Sequence, residues 1–146
     1  MNSSQVVAIT GAGSGIGRML AERFISDGDT VIGFDINEAS LTAVGEELGD
    51  RFHARVMDLT DPESIRAGMA DMQDRVGGID ILINNAGIVA GKHLLDLTEK
   101  DIRRTFAVNV ESHFHAVKAV LPGMIERGRG HIVSIASAGG ISATAR

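Results

Sequence analysis

The sequence predicts an α/β protein organised around a parallel β-sheet. Short runs of β-branched and other apolar residues alternate with longer stretches of helical spacing along the 146 residues. Each strand–helix–strand crossover takes about 30 residues, so the chain has room for about five such units. No repeat or low-complexity tract interrupts this alternation. We therefore expect a single domain over residues 1–146.

Five strands are predicted, at residues 6–9, 30–35, 51–57, 79–83 and 131–136. They are rich in Val, Ile and Phe, which favour extended backbone. In the third strand, Phe52, Ala54 and Val56 alternate with charged or polar residues. Such alternation is typical of a strand with one buried and one wet face, so we expect the third strand to lie at a sheet edge with these three residues inward.

Four helices are predicted, at residues 15–27, 37–48, 61–76 and 98–127. Gly28 is expected to end the first helix in a left-handed conformation, and Asn37 is expected to cap the start of the second. At the start of the third helix, the side chain of Asp61 is expected to cap the helix before a first-turn proline, Pro62, and Glu63 is expected to complete a capping box. Pro122 is expected to bend or break the fourth helix near its end. The apolar face predicted for the first helix consists of Ile16, Met19, Leu20, Phe24 and Ile25.

The composition excludes several classes of protein. With 44% apolar and 23% charged residues, the chain is far from the range of disordered proteins. Its net charge of −5 provides no cationic surface, so we expect no nucleic-acid or membrane partner. It has no cysteine, which excludes disulfides, a thiol nucleophile and a cysteine zinc site. The apolar run at residues 6–9 is too short for a signal peptide or a membrane span, so we expect a cytoplasmic protein.

A glycine-rich segment lies between the first strand and the first helix, with the spacing Gly11-x-x-x-Gly15-x-Gly17. Backbone N–H groups at a helix N-terminus bind the pyrophosphate of a dinucleotide, and glycines allow its close approach. Four glycines within seven residues would each cost about 0.5–1 kcal/mol inside a helix or strand. This segment therefore predicts a phosphate-binding loop, the alternative being a glycine-rich turn with no ligand.

Asp35 ends the second strand, 18 residues beyond Gly17. A carboxylate at this place accepts hydrogen bonds from an adenosine ribose and would repel the 2′-phosphate of NADP. The neighbouring Ser14 and Ile36 supply no positive charge for such a phosphate. We therefore predict NAD as the cofactor in preference to NADP. In the alternative interpretation, Asp35 only marks the entry to the second helix.

These features and several later motifs resemble the short-chain dehydrogenase/reductase family from residue 6 to about residue 140. The glycine segment resembles the family's cofactor motif, and Asp58 its adenine-contacting acid. The Asn-Asn-Ala-Gly run at residues 84–87 resembles its sheet-stabilising turn, and Asn109 resembles its catalytic-helix asparagine. Residues 130–137, with Gly140 beyond, resemble the strand that delivers its catalytic serine, here Ser137. The resemblance implies a Rossmann-type doubly wound sheet of strand order 3-2-1-4-5, truncated after the fifth strand.

The resemblance also implies which residues form the site. Those implied to bind the cofactor are Gly11, Ser14, Gly15, Ile16, Gly17, Asp35, Asp58, Leu59, Asn85, Ala86 and Gly87. Ser137 would donate a hydrogen bond to the reacting oxygen, and the main chain of Asn109 would hold a water of the proton relay. The substrate would be a small alcohol or carbonyl compound, and the complete protein a homo-oligomer. No metal site is expected, because His113 and His115 lie two residues apart on a helix and point in different directions.

The sequence departs from the family in one respect. The family transfers its proton through a tyrosine with a lysine four residues on, and this sequence has no tyrosine. Positioned proton transfer contributes about 10²–10⁴-fold to a rate, so we expect the 146 residues to be C-terminally incomplete and inactive by themselves. The alternative is an inactive dinucleotide-binding or interaction module. A sugar-nucleotide epimerase or dehydratase fits less well, because the glycine spacing and the run at residues 84–87 are closer to the short-chain form.

Overall fold

The computed structural model describes residues 4–137 and contains one parallel sheet of five strands in that range. The strands are β1 (Val6–Thr10), β2 (Thr30–Asp35), β3 (Phe52–Val56), β4 (Ile81–Asn84) and β5 (His131–Ser134). Their order is β3-β2-β1-β4-β5, as the resemblance implies. β3 is thus an edge strand, which confirms that prediction. Gly140 lies outside the described residues.

Five α-helices connect these strands: α1 (Gly15–Ser26), α2 (Glu38–Leu48), α3 (Pro62–Val76), α4 (Glu99–Phe106) and α5 (Ser112–Glu126). The cap residues predicted for the first three are confirmed, but the Glu63 side chain pairs with Arg66 and forms no capping box. Gly28 has a φ of +96° after α1. The Asn37 side chain accepts a hydrogen bond from Ser40 N, and the Asp61 side chain accepts one from Glu63 N.

The single helix predicted over residues 98–127 is interrupted by a π-helical turn at Ala107–Glu111, which joins α4 to α5. Thr98 caps α4 in a capping box with Asp101. The helix does not break at Pro122 but continues to Glu126. Proline removes one helical hydrogen bond, but Val120 and Met124 on either side of it are buried in the core and hold that turn in place.

Helices cover both faces of the sheet, which explains the nearly continuous apolar strands. On one face, Ile32 and Leu82 pack with Met69 of α3 and Val120 of α5. The core of the other face consists of Val7, Ile9, Ala12, Ala21, Val31, Leu41, Val44, Phe52 and Ile83. No helix within residues 4–137 combines the length and the apolar character needed to cross a membrane.

Two predicted inward faces are partly wrong. On α1, Leu20, Phe24 and Ile25 pack against the core, but Ile16 and Met19 are 58% and 66% exposed. The helix instead turns Gly17 and Ala21 inward, because small residues allow its close approach to the sheet.

On β3, Phe52 is buried, whereas Ala54 and Val56 are exposed. Among the described strands β3 has a neighbour on one side only, so its apolar alternation does not guarantee burial.

Candidate functional site

The carboxyl ends of β1, β2 and β4 surround a cavity of about 410 Å³. β1 lies at the centre of the sheet, where successive strands are added first on one side and then on the other. In open α/β sheets, ligands bind in the crevice at this reversal. The volume is within the range of small-molecule sites, about 300–1,000 Å³.

Ten of the eleven residues predicted to bind the cofactor line this cavity. The exception is Gly17, which is buried next to the glycine loop. A Cβ atom on Gly17 would lie 2.1 Å from the Gly11 carbonyl oxygen and 2.7 Å from Asn85 Nδ2. Gly17 therefore allows the first turn of α1 to approach the loop, and it contributes to the site through this packing.

The N-terminus of α1 lies at the cavity. Ser14 is the N-cap residue, but its side chain makes no capping hydrogen bond, and the first turn contains no acidic residue. The first N–H groups of a helix have no partner within the helix and carry the positive end of its dipole. Because Ser14, Gly15 and Ile16 line the cavity, this end of α1 is suited to hold an anionic group such as a phosphate.

Thr10 ties the glycine loop to the segment after β4. Its buried hydroxyl accepts hydrogen bonds from Asn85 N at 3.0 Å and Ala86 N at 3.1 Å. The Asn85 side chain completes the link by donating to the Thr10 carbonyl oxygen at 3.0 Å. The predicted residues Asn85 and Ala86 are thus held against the loop by Thr10, which directly precedes the glycine motif and was not among the predicted site residues.

The Asp35 carboxylate fixes two neighbouring segments at the end of β2. Its Oδ2 atom accepts a hydrogen bond from Gly13 N at 3.0 Å, and its Oδ1 atom accepts one from Asn37 N at 3.0 Å. A Cβ on Gly13 would lie 2.9 Å from Oδ2, so only glycine fits this contact without displacement. Asp35 therefore marks the entry to α2 and also lines the cavity. Each carboxylate oxygen retains acceptor capacity for a ligand hydroxyl.

Asp58 and Leu59 follow β3 and form the outer end of the cavity. Asp58 Oδ1 accepts hydrogen bonds from the Thr60 N–H at 2.8 Å and the Thr60 hydroxyl at 2.7 Å. Ser64 Oγ accepts a hydrogen bond from Asp58 N at 3.0 Å. These contacts fix the carboxylate at the end of its strand and leave Oδ2 available as an acceptor.

Asn109 lies in the π-helical turn and contacts the segment after β4 through both ends of its amide. Its Oδ1 atom accepts a hydrogen bond from Ile88 N at 2.8 Å, and its Nδ2 atom donates one to the Ile88 carbonyl oxygen at 2.8 Å. Ile88 lines the cavity, whereas Asn109 does not. The side chain of Asn109 thus positions this wall of the cavity. Turns of the π type occur frequently at functional sites.

Ser137 follows β5, two strands away from β1, and does not line the cavity. It comes at the carboxyl edge of the sheet, since Ser134 is in register with Asn84 at the end of β4. The remaining lining residues were not predicted: Ile36, Met57, Thr60, Ile88, Arg104 and Val108. Arg104 comes from α4, and no sequence motif singles it out.

Charged groups outside the cavity have perturbed pKa values. The Lys92 ammonium, together with the hydroxyl and N–H of Thr98, holds the pKa of the Asp101 carboxyl well below its usual range. Partial burial lowers the pKa of His113. Within residues 4–137, no group of three or more His, Asp or Glu side chains could hold a metal ion.

Comparison with known proteins gives consistent matches. The profile of the short chain dehydrogenase family matches residues 5–146. Human epidermal retinol dehydrogenase 2 is 39% identical over 144 residues, which cover 96% of this chain and 47% of that protein. Rat estradiol 17-beta-dehydrogenase 11 is 38% identical over 141 residues, 94% of this chain and 47% of that protein. The chain thus spans about half the length of these relatives.

Solved structures show the same similarity. The crystal structure of a short-chain dehydrogenase from Streptomyces avermitilis matches with a TM-score of 0.92 and 38% identity, covering 99% of this chain and 53% of that chain. Serine dehydrogenase from Escherichia coli matches with a TM-score of 0.88 and 33% identity, covering 96% of this chain and 65% of that chain.

Proposed function

The chain belongs to the short-chain dehydrogenase family, and on this premise we propose that it supplies the NAD-binding fold of an oxidoreductase. The enzyme transfers a hydride between NAD(H) and an alcohol or carbonyl substrate. The observation that carries this proposal is the meeting of the open N-terminus of α1 with the Asp35 carboxylate in one cavity. A phosphate-binding end and a hydroxyl-binding carboxylate together suit the pyrophosphate and ribose of a dinucleotide.

The residues of the cavity divide among the parts of the cofactor. The N–H groups at Ser14, Gly15 and Ile16 would hold the pyrophosphate, and Asp35 the adenosine ribose. Asp58 and Leu59 would border the adenine, while the segment at residues 85–87 would run along the nicotinamide-side ribose. When bound, the dinucleotide supplies the site that gives or accepts hydride. The preference for NAD follows from Asp35, since its negative charge would repel a 2′-phosphate.

Ser137 and Asn109 take the remaining roles. Ser137 would donate a hydrogen bond to the substrate oxygen as negative charge develops there. Asn109 positions the cavity wall through Ile88 and would hold a water of the proton relay through its main chain. The sequence has no tyrosine to transfer the proton, so residues 1–146 would bind the dinucleotide without turning over substrate.

The substrate and the assembly are also part of the proposal. Two relatives are named for retinol and estradiol, which supports an alcohol as the substrate class. The apolar side chains exposed on α4 and α5, including Phe106 and Phe114, support a homo-oligomer. Sedimentation of the 146-residue chain over a range of concentrations would test self-association, and a monomer at every concentration would count against it.

Titration calorimetry of the 146-residue chain with NADH and with NADPH tests the cofactor assignment. We expect NADH to bind more tightly. D35N removes the charge at nearly constant shape and should narrow the difference between the two cofactors, whereas D74N, at an exposed position on α3, should leave it unchanged. Absence of binding to either cofactor would overturn the proposal, and tighter binding of NADPH by the wild type would overturn the preference for NAD.

A further inference from the structure

Arg104 on α4 borders two adjoining spaces. One is the cavity already described, and the other is an open groove of about 900 Å³ along α4. Four residues line both: Ile36, Asp58, Thr60 and Arg104. They form the rim at which the outer end of the cavity opens onto the groove.

The guanidinium of Arg104 forms no ion pair with a carboxylate of the described residues. Its neighbour Arg103 pairs with Glu99, and the ion pairs within residues 4–137 include seven of the arginines but not Arg104. Its side chain also makes none of the hydrogen bonds found there. A planar, permanently charged group is thus available at the rim of the cavity.

The surroundings of Arg104 suit an aromatic heterocycle. Ile36 is 61% exposed at the rim and offers an apolar surface, and the Asp58 Oδ2 atom can accept from an exocyclic amine. A guanidinium favours the face of an aromatic ring and stacks on it. The helix that carries Arg104 is held at both ends. The Thr98 capping box fixes its start, and Val108, in the π-helical turn that follows it, is buried.

We propose that Arg104 strengthens binding at the adenine end of the dinucleotide by packing its guanidinium on the adenine ring, opposite Ile36. This inference rests on the proposed function, because it requires that the cavity bind a dinucleotide. Both spaces that Arg104 borders contain Asp58, at the end of β3, whereas only one contains Asp35. The arginine is therefore assigned to the adenine and not to the ribose 2′ position.

Calorimetry of the 146-residue chain with ADP-ribose, NADH and NADPH tests this assignment. R104A should weaken binding of all three about 3- to 30-fold, the range of cation–π contacts. R104K keeps the charge but loses the planar stack and should recover only part of the affinity. R103A is the matched control, since Arg103 lines the groove but not the cavity, and it should bind as the wild type does. Circular dichroism would verify that each variant keeps its fold.

The other outcomes separate the competing explanations. If R104A weakens only NADPH, the arginine binds the 2′-phosphate and the adenine assignment is wrong. Full recovery in R104K would indicate general attraction to phosphate and would also overturn it. If the wild type binds ADP-ribose and NADH and R104A binds them equally well, only the role of Arg104 fails. If the wild type binds neither, the proposed function fails and this inference fails with it.

Discussion

The amino-terminal region, residues 4–80, and the carboxyl-terminal region, residues 81–137, differ in how completely their apolar side chains are covered. Fifteen large apolar side chains are exposed within residues 4–137, and only four of them lie in the longer amino-terminal region. Two of these four, Ile16 and Ile36, line the cavity. Half of the few exposed apolar side chains of the amino-terminal region thus lie at the cavity.

The carboxyl-terminal region holds the other eleven exposed apolar side chains. Val89, Leu94 and Leu95 are each more than 80% exposed, and Phe114 is 68% exposed. Concentrations of exposed apolar side chains commonly mark surfaces that bind another molecule. Both regions line the cavity, but the exposed apolar surface outside it is concentrated in the carboxyl-terminal region.

The largest effect is expected where the amino-terminal region is packed most closely. G17V would place side-chain atoms where a Cβ is already 2.1 Å from the Gly11 oxygen. We expect loss of measurable NADH binding and a fall of about 1–3 kcal/mol in the free energy of unfolding. Calorimetry and urea denaturation measure the two effects.

G45A is the control for G17V. A Cβ on Gly45 of α2 would lie 3.6 Å from Phe52 Cδ1, an ordinary van der Waals distance. Replacing a helical glycine by alanine should raise stability by about 0.5–1 kcal/mol and leave binding unchanged. Wild-type NADH affinity in G17V would show that close packing of α1 against the loop is not needed for the site.

A second effect is expected within the carboxyl-terminal region, at Asn109, which holds the cavity wall through Ile88. N109L removes both hydrogen bonds to Ile88 and leaves that N–H and carbonyl without these partners. We expect a loss of about 1–3 kcal/mol in stability and faster hydrogen exchange at the Ile88 amide. V110A, one residue further along the same π-helical turn, should leave exchange at Ile88 unchanged. Equal exchange in N109L and the wild type would mean that Asn109 does not hold the cavity wall.

The strand order and the cavity edge could be predicted because local signals agree there. Residues 30–35 form a strand as predicted, and Asp35 ends it at the cavity. The orientation of α1 could not be predicted from apolar spacing, since Ile16 is apolar but faces the cavity and Gly17 packs inward. No local sequence pattern marks Arg104 either, because it shares the cavity rim with Ile36 and Asp58, which are distant from it in the sequence.

The smallest effect is expected in the carboxyl-terminal region, at Asp101. The Lys92 ammonium and Thr98 lower the pKa of this carboxyl in the folded state, so its ionised form stabilises the fold above the unfolded-state pKa of about 4. That contribution is lost as the pH falls from about 4 through the lower folded-state pKa.

The Tm advantage of the wild type over D101N should therefore shrink between about pH 6 and about pH 3. D96N, at an exposed carboxylate without an ion pair among the described residues, is the matched control. A constant difference between wild type and D101N across this range would mean that the start of α4 does not depend on the ionised form of this carboxylate.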